Sequence, residues 1–304
     1  MTEKKIKCAF CDIIQGKKPH EVIITENEKF LVIPDRDPSS KGHSLLVTRD
    51  HLPHLAGMSQ ADWNEILPLF KDIIGRMDNL SPVGFNCYMW CGREEGAGGS
   101  LQSVPHFHIN IVPIYQKEYG LNWFVTRIKR ENDTDVSPTS QDYQETTEKF
   151  QPNSEGVIKE TSKLTVALAS AEQALIPGHL IIKSKENIPN NLKQVDAETW
   201  SQIGELLQEC LQELRQKFPV KNIQVEFSLG KLSGPEQQDV SELQLHILPF
   251  QEENYSYQNP EQKSREYLRI ARKLKGVAIE NVVSEQQAQI VQKETIISDF
   301  GKGK

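Results

Sequence analysis

The sequence predicts an α+β fold: two units, each an antiparallel sheet with one long helix, joined within one chain as an intramolecular pseudo-dimer. Three observations carry this. Lys41-Gly42-His43-Ser44-Leu45-Leu46-Val47 recurs as Pro177-Gly178-His179-Leu180-Ile181-Ile182-Lys183, 136 residues on. His106-Phe107-His108-Ile109-Asn110-Ile111-Val112-Pro113 recurs as Glu242-Leu243-Gln244-Leu245-His246-Ile247-Leu248-Pro249 at the same offset, and Trp63 returns as Trp200 at 137. Three matches at nearly one spacing are the mark of a duplicated unit.

The elements follow in order. Residues 30–34, 43–47, 83–91 and 106–112 read as strands from their short apolar runs. Between them, 60–78 reads as an amphipathic helix, with Trp63, Ile66, Leu67, Phe70, Ile73, Ile74 and Met77 on one face. The second half repeats this with Trp200, Ile203, Leu206, Leu207, Cys210, Leu211 and Leu214, and with strands near 163–169, 178–183, 222–229 and 243–249. The polar stretch 131–160 reads as a linker. The expected division is a first unit over 1–130, the linker, a second unit over 161–252, and a helical or disordered tail over 253–304, with a helix pattern at 260–275.

Composition narrows the function. The 304 residues are 37% hydrophobic and 25% charged, as in a globular protein. No apolar run approaches the ~20 residues of a membrane helix, so no membrane partner is expected. MTEKKIKCAFC lacks the apolar stretch of a secretory signal, which makes the expected location cytoplasmic. A net charge of −7 argues against a dedicated nucleic-acid partner while leaving room for a nucleotide pocket. Of five cysteines, two form Cys8-x-x-Cys11, which in a reducing compartment reads as a metal or redox pair.

The chemistry concentrates in 102–112. On a strand, His106, His108 and Asn110 share one face, and Phe107, Ile109 and Ile111 the other. Just upstream, Gly92-Arg93-Glu94-Glu95-Gly96-Ala97-Gly98-Gly99-Ser100 holds four glycines in nine residues. Such a loop brings backbone N–H groups close to an anion. Taken singly, each feature has a plain reading: a His-x-His pair satisfied on the surface or in a core, Asp35 capping the turn at 35–38, a pair of free thiols.

Together they resemble the histidine-triad family of nucleotide hydrolases and transferases, whose motif is His-φ-His-φ-His-φ-φ with φ apolar. Cys8-Ala9-Phe10-Cys11-Asp12-Ile13-Ile14 is similar to that family's zinc-bearing entry motif. Asp35, eight residues before His43, matches the spacing of its ribose-binding Asp, and Arg49-Asp50-His51 falls where a Lys-x-His segment is usual. The resemblance implies that His108 attacks the α-phosphorus of a nucleotide substrate, an adenine nucleotide by family expectation, to form a nucleotidyl-histidine. It gives Ser103 and Asn110 catalytic roles and assigns nucleotide contacts to Asp35, Arg36, His43 and Gln102. Arg36 stands where the family carries an apolar residue under the base. The resemblance also implies a structural zinc held by Cys8, Cys11, His51 and His106. His54, close to His51, is the rival ligand and reads as a solvated loop residue.

The third triad position is Asn110, which forms hydrogen bonds but carries no proton. In the second half Gln244 stands for His108, Glu242 for His106, Asp239 for Ser103 and Ala171 for Asp35, and there is no Cys-x-x-Cys. That half reads as non-catalytic and as the replacement for a partner subunit. Three functions fit these residues: hydrolysis of nucleoside phosphoramidates or dinucleoside polyphosphates, nucleotidyl transfer or phosphorolysis, and nucleotide binding without turnover.

Overall fold

The structure is a computed structural model that describes residues 8–17, 22–36, 38, 40–92, 104–115, 140–170, 173–186, 188, 191–230 and 242–251. The glycine-rich loop, Gln102, Ser103, the 260–275 helix pattern and the tail from 253 lie outside the described residues.

Among these residues ten strands form one sheet. The first half supplies β1 (Thr25–Glu26), β2 (Phe30–Pro34), β3 (Ser44–Thr48), β4 (Gly84–Cys91) and β5 (His108–Ile114). The second supplies β6 (Val157–Glu160), β7 (Leu164–Leu168), β8 (Leu180–Ser184), β9 (Val220–Gly230) and β10 (Gln244–Gln251). The order is β1-β2-β3-β5-β4-β9-β10-β8-β7-β6, so the same five-strand order occurs on both sides of the β4–β9 junction. Registers agree as well. Val47 pairs with His108 and Leu45 with Asn110; Lys183 pairs with Gln244 and Ile181 with His246, each 136 residues later. At the junction Tyr88 pairs with Glu226, and Cys87↔Phe227 and Met89↔Val225 flank it symmetrically.

Alternation along the strands divides the sheet into two faces. Leu46, Cys87, Met89, Ile109 and Ile111 point to one face, with Leu180, Ile182, Val225, Phe227, Leu245 and Ile247. Helix α1 (Ala9–Ile14) precedes β1; this face is covered by α2 (Gln60–Asn64), α3 (Ile66–Met77) and α5 (Ala197–Lys217), and one continuous core runs through both halves. All fourteen apolar helix positions expected to face the core are buried. His108, Asn110, Tyr88, Glu226 and His246 lie on the opposite, outer face.

The single helix expected over 60–78 is broken at Glu65. Pro68 explains the break: it has no N–H for the Asn64 carbonyl, and its ring crowds that carbonyl. Part of the stretch read as linker is ordered structure. Residues Ser140–Phe150 form a helix, α4, whose Thr146 and Phe150 are buried, Phe150 against Phe218, and Val157–Glu160 form β6. The polar composition hid a sparse apolar stripe from Tyr143 to Phe150. No helix among the described residues is long and apolar enough to cross a membrane.

Helix α5 starts at Asp196, whose carboxylate accepts the Thr199 N–H at 2.7 Å and the Lys163 ammonium at 2.8 Å. Lys163 first, then the Thr199 amide, hold this carboxyl below its usual range. Asp196→Ala is expected to cost about 1 kcal/mol, nearly all from the lost cap, because the exposed ion pair contributes little. A depressed carboxyl stabilises the fold above its unfolded value of about 3.9, and that stability is lost as pH falls through the folded value. Denaturant unfolding should therefore show the difference between wild type and variant at pH 7 and show it shrinking in strong acid. A difference that grows in acid would contradict this account of the cap.

Candidate active site and metal centre

The site is built where β5 begins. Thr48 N–H bonds to the Phe107 carbonyl, and His106 stands just before the ladder, which starts at Val47↔His108. His106 is therefore held by side-chain contacts rather than by sheet pairing. Its Nε2–H donates to the Thr48 carbonyl at 2.7 Å, because a carbonyl only accepts. That leaves the Nδ1 lone pair facing the sulfurs, 3.3 Å from Cys8 Sγ and 3.6 Å from Cys11 Sγ. His51 Nδ1 lies 3.3 Å from Cys11 Sγ.

The donor atoms of Cys8, Cys11, His51 and His106 all lie within 4.8 Å of one another. A tetrahedral ion with bonds of ~2.3 Å to sulfur and ~2.05 Å to nitrogen sets S···N separations near 3.6 Å, so the set fits such an ion. Burial, and then the neighbouring Cys8, push the Cys11 thiol up to about 11. A cation would offset this by stabilising the thiolate. His54 is not in the set. It is buried rather than solvated, because the turn it enters sinks Leu55 into the core.

His108 is 8% exposed. Its Nδ1–H donates to the His106 carbonyl at 2.7 Å, so the ring is the Nδ1–H tautomer and Nε2 carries the lone pair. Burial lowers its pKa, against the opposing effects of that carbonyl and of Asp35, and so favours the neutral ring. The edge of Phe10 packs on it, with ring centroids 5.2 Å apart. The metal-capable set and this imidazole thus share one residue: His106 offers its ring to the sulfurs and its carbonyl to His108.

Asn110, two residues on, shares the outer face with His108. Its Oδ1 accepts from His43 Nε2 at 3.1 Å, which turns the Nδ2 donors away from His43. Asp35 Oδ2 lies 3.7 Å from the same His43 nitrogen. Asp35, His43, Asn110 and His108 are therefore brought together, while Arg36 is exposed on the turn after β2.

Three contributors were not anticipated. Phe10 lay unread between the two cysteines. The Thr48 carbonyl is a main-chain group with no sequence signal. Arg215 of α5 donates to the Gly92 carbonyl at 2.8 Å and to that of Cys91 at 3.4 Å, holding the root of the glycine-rich loop from the other half of the chain.

The second half departs from the first at each of these points. Gln244 takes the place of His108 in the ladder, and His246, bonded to His179 at 2.9 Å, takes that of Asn110. The counterpart of Asp35 is Ala169 and not Ala171: Asp35 N–H bonds to the His43 carbonyl, and Ala169 N–H to that of His179. The β7–β8 connection is two residues longer than β2–β3, so a fixed offset overshoots.

The HIT domain model matches residues 16–117. Adenosine 5'-monophosphoramidase hnt1 of Schizosaccharomyces pombe is 32% identical over 116 residues, 38% of this chain and 80% of that protein. An uncharacterized HIT-like protein of Mycoplasma genitalium is 31% identical over 124 residues, 40% of this chain and 84% of that one. In fold, the chain is similar to an ADP-glucose phosphorylase of Arabidopsis thaliana, solved with ADP-glucose bound, at TM-score 0.53 and 15% identity over 93% of this chain and 92% of that one. With triad strand, entry cysteines and relatives in agreement, the chain belongs to the HIT family.

Proposed function

We propose that the protein is a nucleotide hydrolase of the HIT type, acting on nucleoside phosphoramidates or dinucleoside polyphosphates through His108. The observation that carries this reading is the fixed tautomer: with Nδ1–H tied to the His106 carbonyl, the Nε2 lone pair is left to attack. In the first step Nε2 forms a bond to the α-phosphorus and the bond from phosphorus to the leaving group breaks. The leaving group departs with the electron pair and takes up a proton. In the second step water attacks the same phosphorus, a proton is lost, and His108 leaves as a neutral ring. Asn110 Nδ2 donates to a phosphoryl oxygen and Asp35 accepts from the ribose hydroxyls. Ser103 and Gln102 are assigned to phosphate and leaving group by resemblance alone.

Zinc is the ion we propose for Cys8, Cys11, His51 and His106. Four protein ligands leave no open position, so its part is structural. It would fix the His106 ring and thereby the carbonyl that orients His108. Stripping it with a chelator, or making Cys8→Ser with Cys11→Ser, is expected to lower turnover about 10–100-fold and to lower Tm, with zinc restoring the stripped wild type only. Elemental analysis showing no stoichiometric zinc, together with a Tm indifferent to added zinc, would remove this assignment.

The two halves are proposed to be a catalytic unit and a degenerate copy that replaces a partner subunit. The shared strand order, the equal registers and the symmetric β4–β9 junction support this. Nucleotidyl transfer is the second reading, favoured by an amide rather than an imidazole at Asn110. One assay separates the two. Adenosine 5′-phosphoramidate is given with and without inorganic phosphate, and the products are identified. AMP in both cases supports the hydrolase, ADP formed with phosphate supports the transferase, and no adenylylated enzyme on alkaline denaturing quench, in which a phosphorus–imidazole bond survives, would count against both.

A further inference from the structure

The outer sheet face carries a second group of polar side chains, at the place in the second half that corresponds to His108. Gln244 stands there and pairs with Lys183 of β8. His246, two residues on, points to the same face. Ser228 comes alongside Gln244 from β9, two residues beyond the Glu226 that pairs with His246, and itself pairs with Asn86. One row therefore runs Lys183, Gln244, Ser228, Asn86. The equivalent row through His108 runs Val47, His108, Trp90, Gln224. The nucleophile is flanked by an aliphatic residue and an indole. Gln244 is flanked by a cation and a hydroxyl.

These groups have hydrogen-bonding capacity to spare. The Leu175 N–H points at His179 Nδ1 at 3.3 Å, which makes Nδ1 the acceptor and puts the ring proton on Nε2. His179 Nε2–H then donates to His246 Nδ1 at 2.9 Å, so His246 carries its own proton on Nε2. The Gln173 carbonyl favours a charged His179, too weakly to offset burial, which holds that ring down to about 3. Among the described residues His246 Nε2–H has no partner, although the residue is only 4% exposed. Ser228, equally buried, has an Oγ with no hydrogen-bond partner. The Lys183 ammonium is close enough to depress both His179 and His246, after burial. The neighbouring acid, Glu226, lies on the Tyr88 side of His246 and accepts from Gln224 at 3.2 Å. Glu242, two residues before Gln244, is a second acid on this face, so Lys183 stands among Gln244, Ser228 and these carboxylates.

We propose that Lys183, Gln244, His246 and Ser228 form a non-catalytic phosphate site, which takes a phosphoryl group either as free phosphate or as the 5′-phosphate of a nucleotide. One cation and three hydrogen-bonding side chains share this stretch of the outer face, groups of the kind that hold tetrahedral oxyanions. The ligand is held and not turned over, because the lone pair of an amide nitrogen is delocalised into its carbonyl and does not attack phosphorus. This site stands independently of the chemistry at His108.

The test uses the full chain labelled with ¹⁵N in its histidine rings and titrated with inorganic phosphate or with AMP. The ring signals of His246 and His179 are expected to shift saturably, with His246 protonated at Nε2. Tighter binding of phosphate identifies the free anion as the ligand, and tighter binding of AMP identifies the nucleotide. Lys183→Met should weaken this response at least about tenfold and leave the response of His108 unchanged. Ser228→Ala, nearly isosteric, is the second variant should Lys183→Met unsettle β8, and it too should weaken binding. The proposal is overturned if the His246 signal stays unmoved by either ligand up to about 10 mM, well beyond a millimolar Kd. It is equally overturned if both variants bind as the wild type does. A shift confined to His108 would sink this site and leave the first-half reading standing.

Discussion

His108→Ala is expected to abolish AMP release from adenosine 5′-phosphoramidate, lowering kcat/KM by at least about 10⁴-fold. The size follows from the role. A general acid can be replaced in part by water, but a covalent step has no substitute once its nucleophile is gone. The fold should survive. His108 points to the outer face, away from the helices, and loses one hydrogen bond, to the His106 carbonyl, worth about 1 kcal/mol. Zinc content should not change, since the ring of His106 and its Thr48 bond stay in place. His108→Gln, which installs the residue its counterpart Gln244 already carries, should be as inactive, and it tests whether the ladder accepts an amide there. Asn110→Ala should fall between, at about 10–100-fold, because it removes a donor and leaves the nucleophile. If AMP release persists in purified His108→Ala, His108 is not the nucleophile. If it is lost only together with zinc and thermal stability, the residue is structural.

The registers show why so much of this was legible. A period-2 pattern with a fixed offset specifies which residues share a face, and a slip of one residue would turn every side chain over. That is why the match of His108 to Gln244 and of Asn110 to His246 is legible in the sequence. The offset shifts where connections differ in length: Trp63 and Trp200 are 137 apart, Tyr88 and Glu226 are 138 apart, and two extra residues between β7 and β8 make Ala169, not Ala171, the counterpart of Asp35. The sequence could not show what lies in the main chain. The Thr48 carbonyl that fixes His106 and the His106 carbonyl that fixes His108 belong to no residue type. Nor could it show a contact made between halves, such as Arg215 on the Gly92 carbonyl. Helix α4 was missed because its apolar stripe is thin, and the helix break came from Pro68, a residue that the face pattern alone does not weigh.

Trp63→Ala and Trp200→Ala are each expected to cost about 3–5 kcal/mol, the largest stability effects in the molecule. The rings stack 4.7 Å apart at an interplanar angle of 5°, and each is almost wholly buried. Each Nε1–H donates to the other residue's main-chain carbonyl, at 2.8 Å from Trp63 and 3.1 Å from Trp200. Truncating one therefore leaves a cavity, a ring without its stack and a buried carbonyl without its donor. The double variant should cost less than the sum, because both single changes destroy the same pair. Gly204→Ala probes the contact from the other side: a Cβ there would lie 2.3 Å from the Trp63 ring, so the change should cost about 1–3 kcal/mol although alanine favours a helix. Since this pair and the β4–β9 ladder lock the halves into one core, denaturant should unfold the chain in a single transition that follows loss of catalytic activity. Two separated transitions in Trp63→Ala, with activity kept through the first, would show that the first half stands alone and that the second does not serve as its partner.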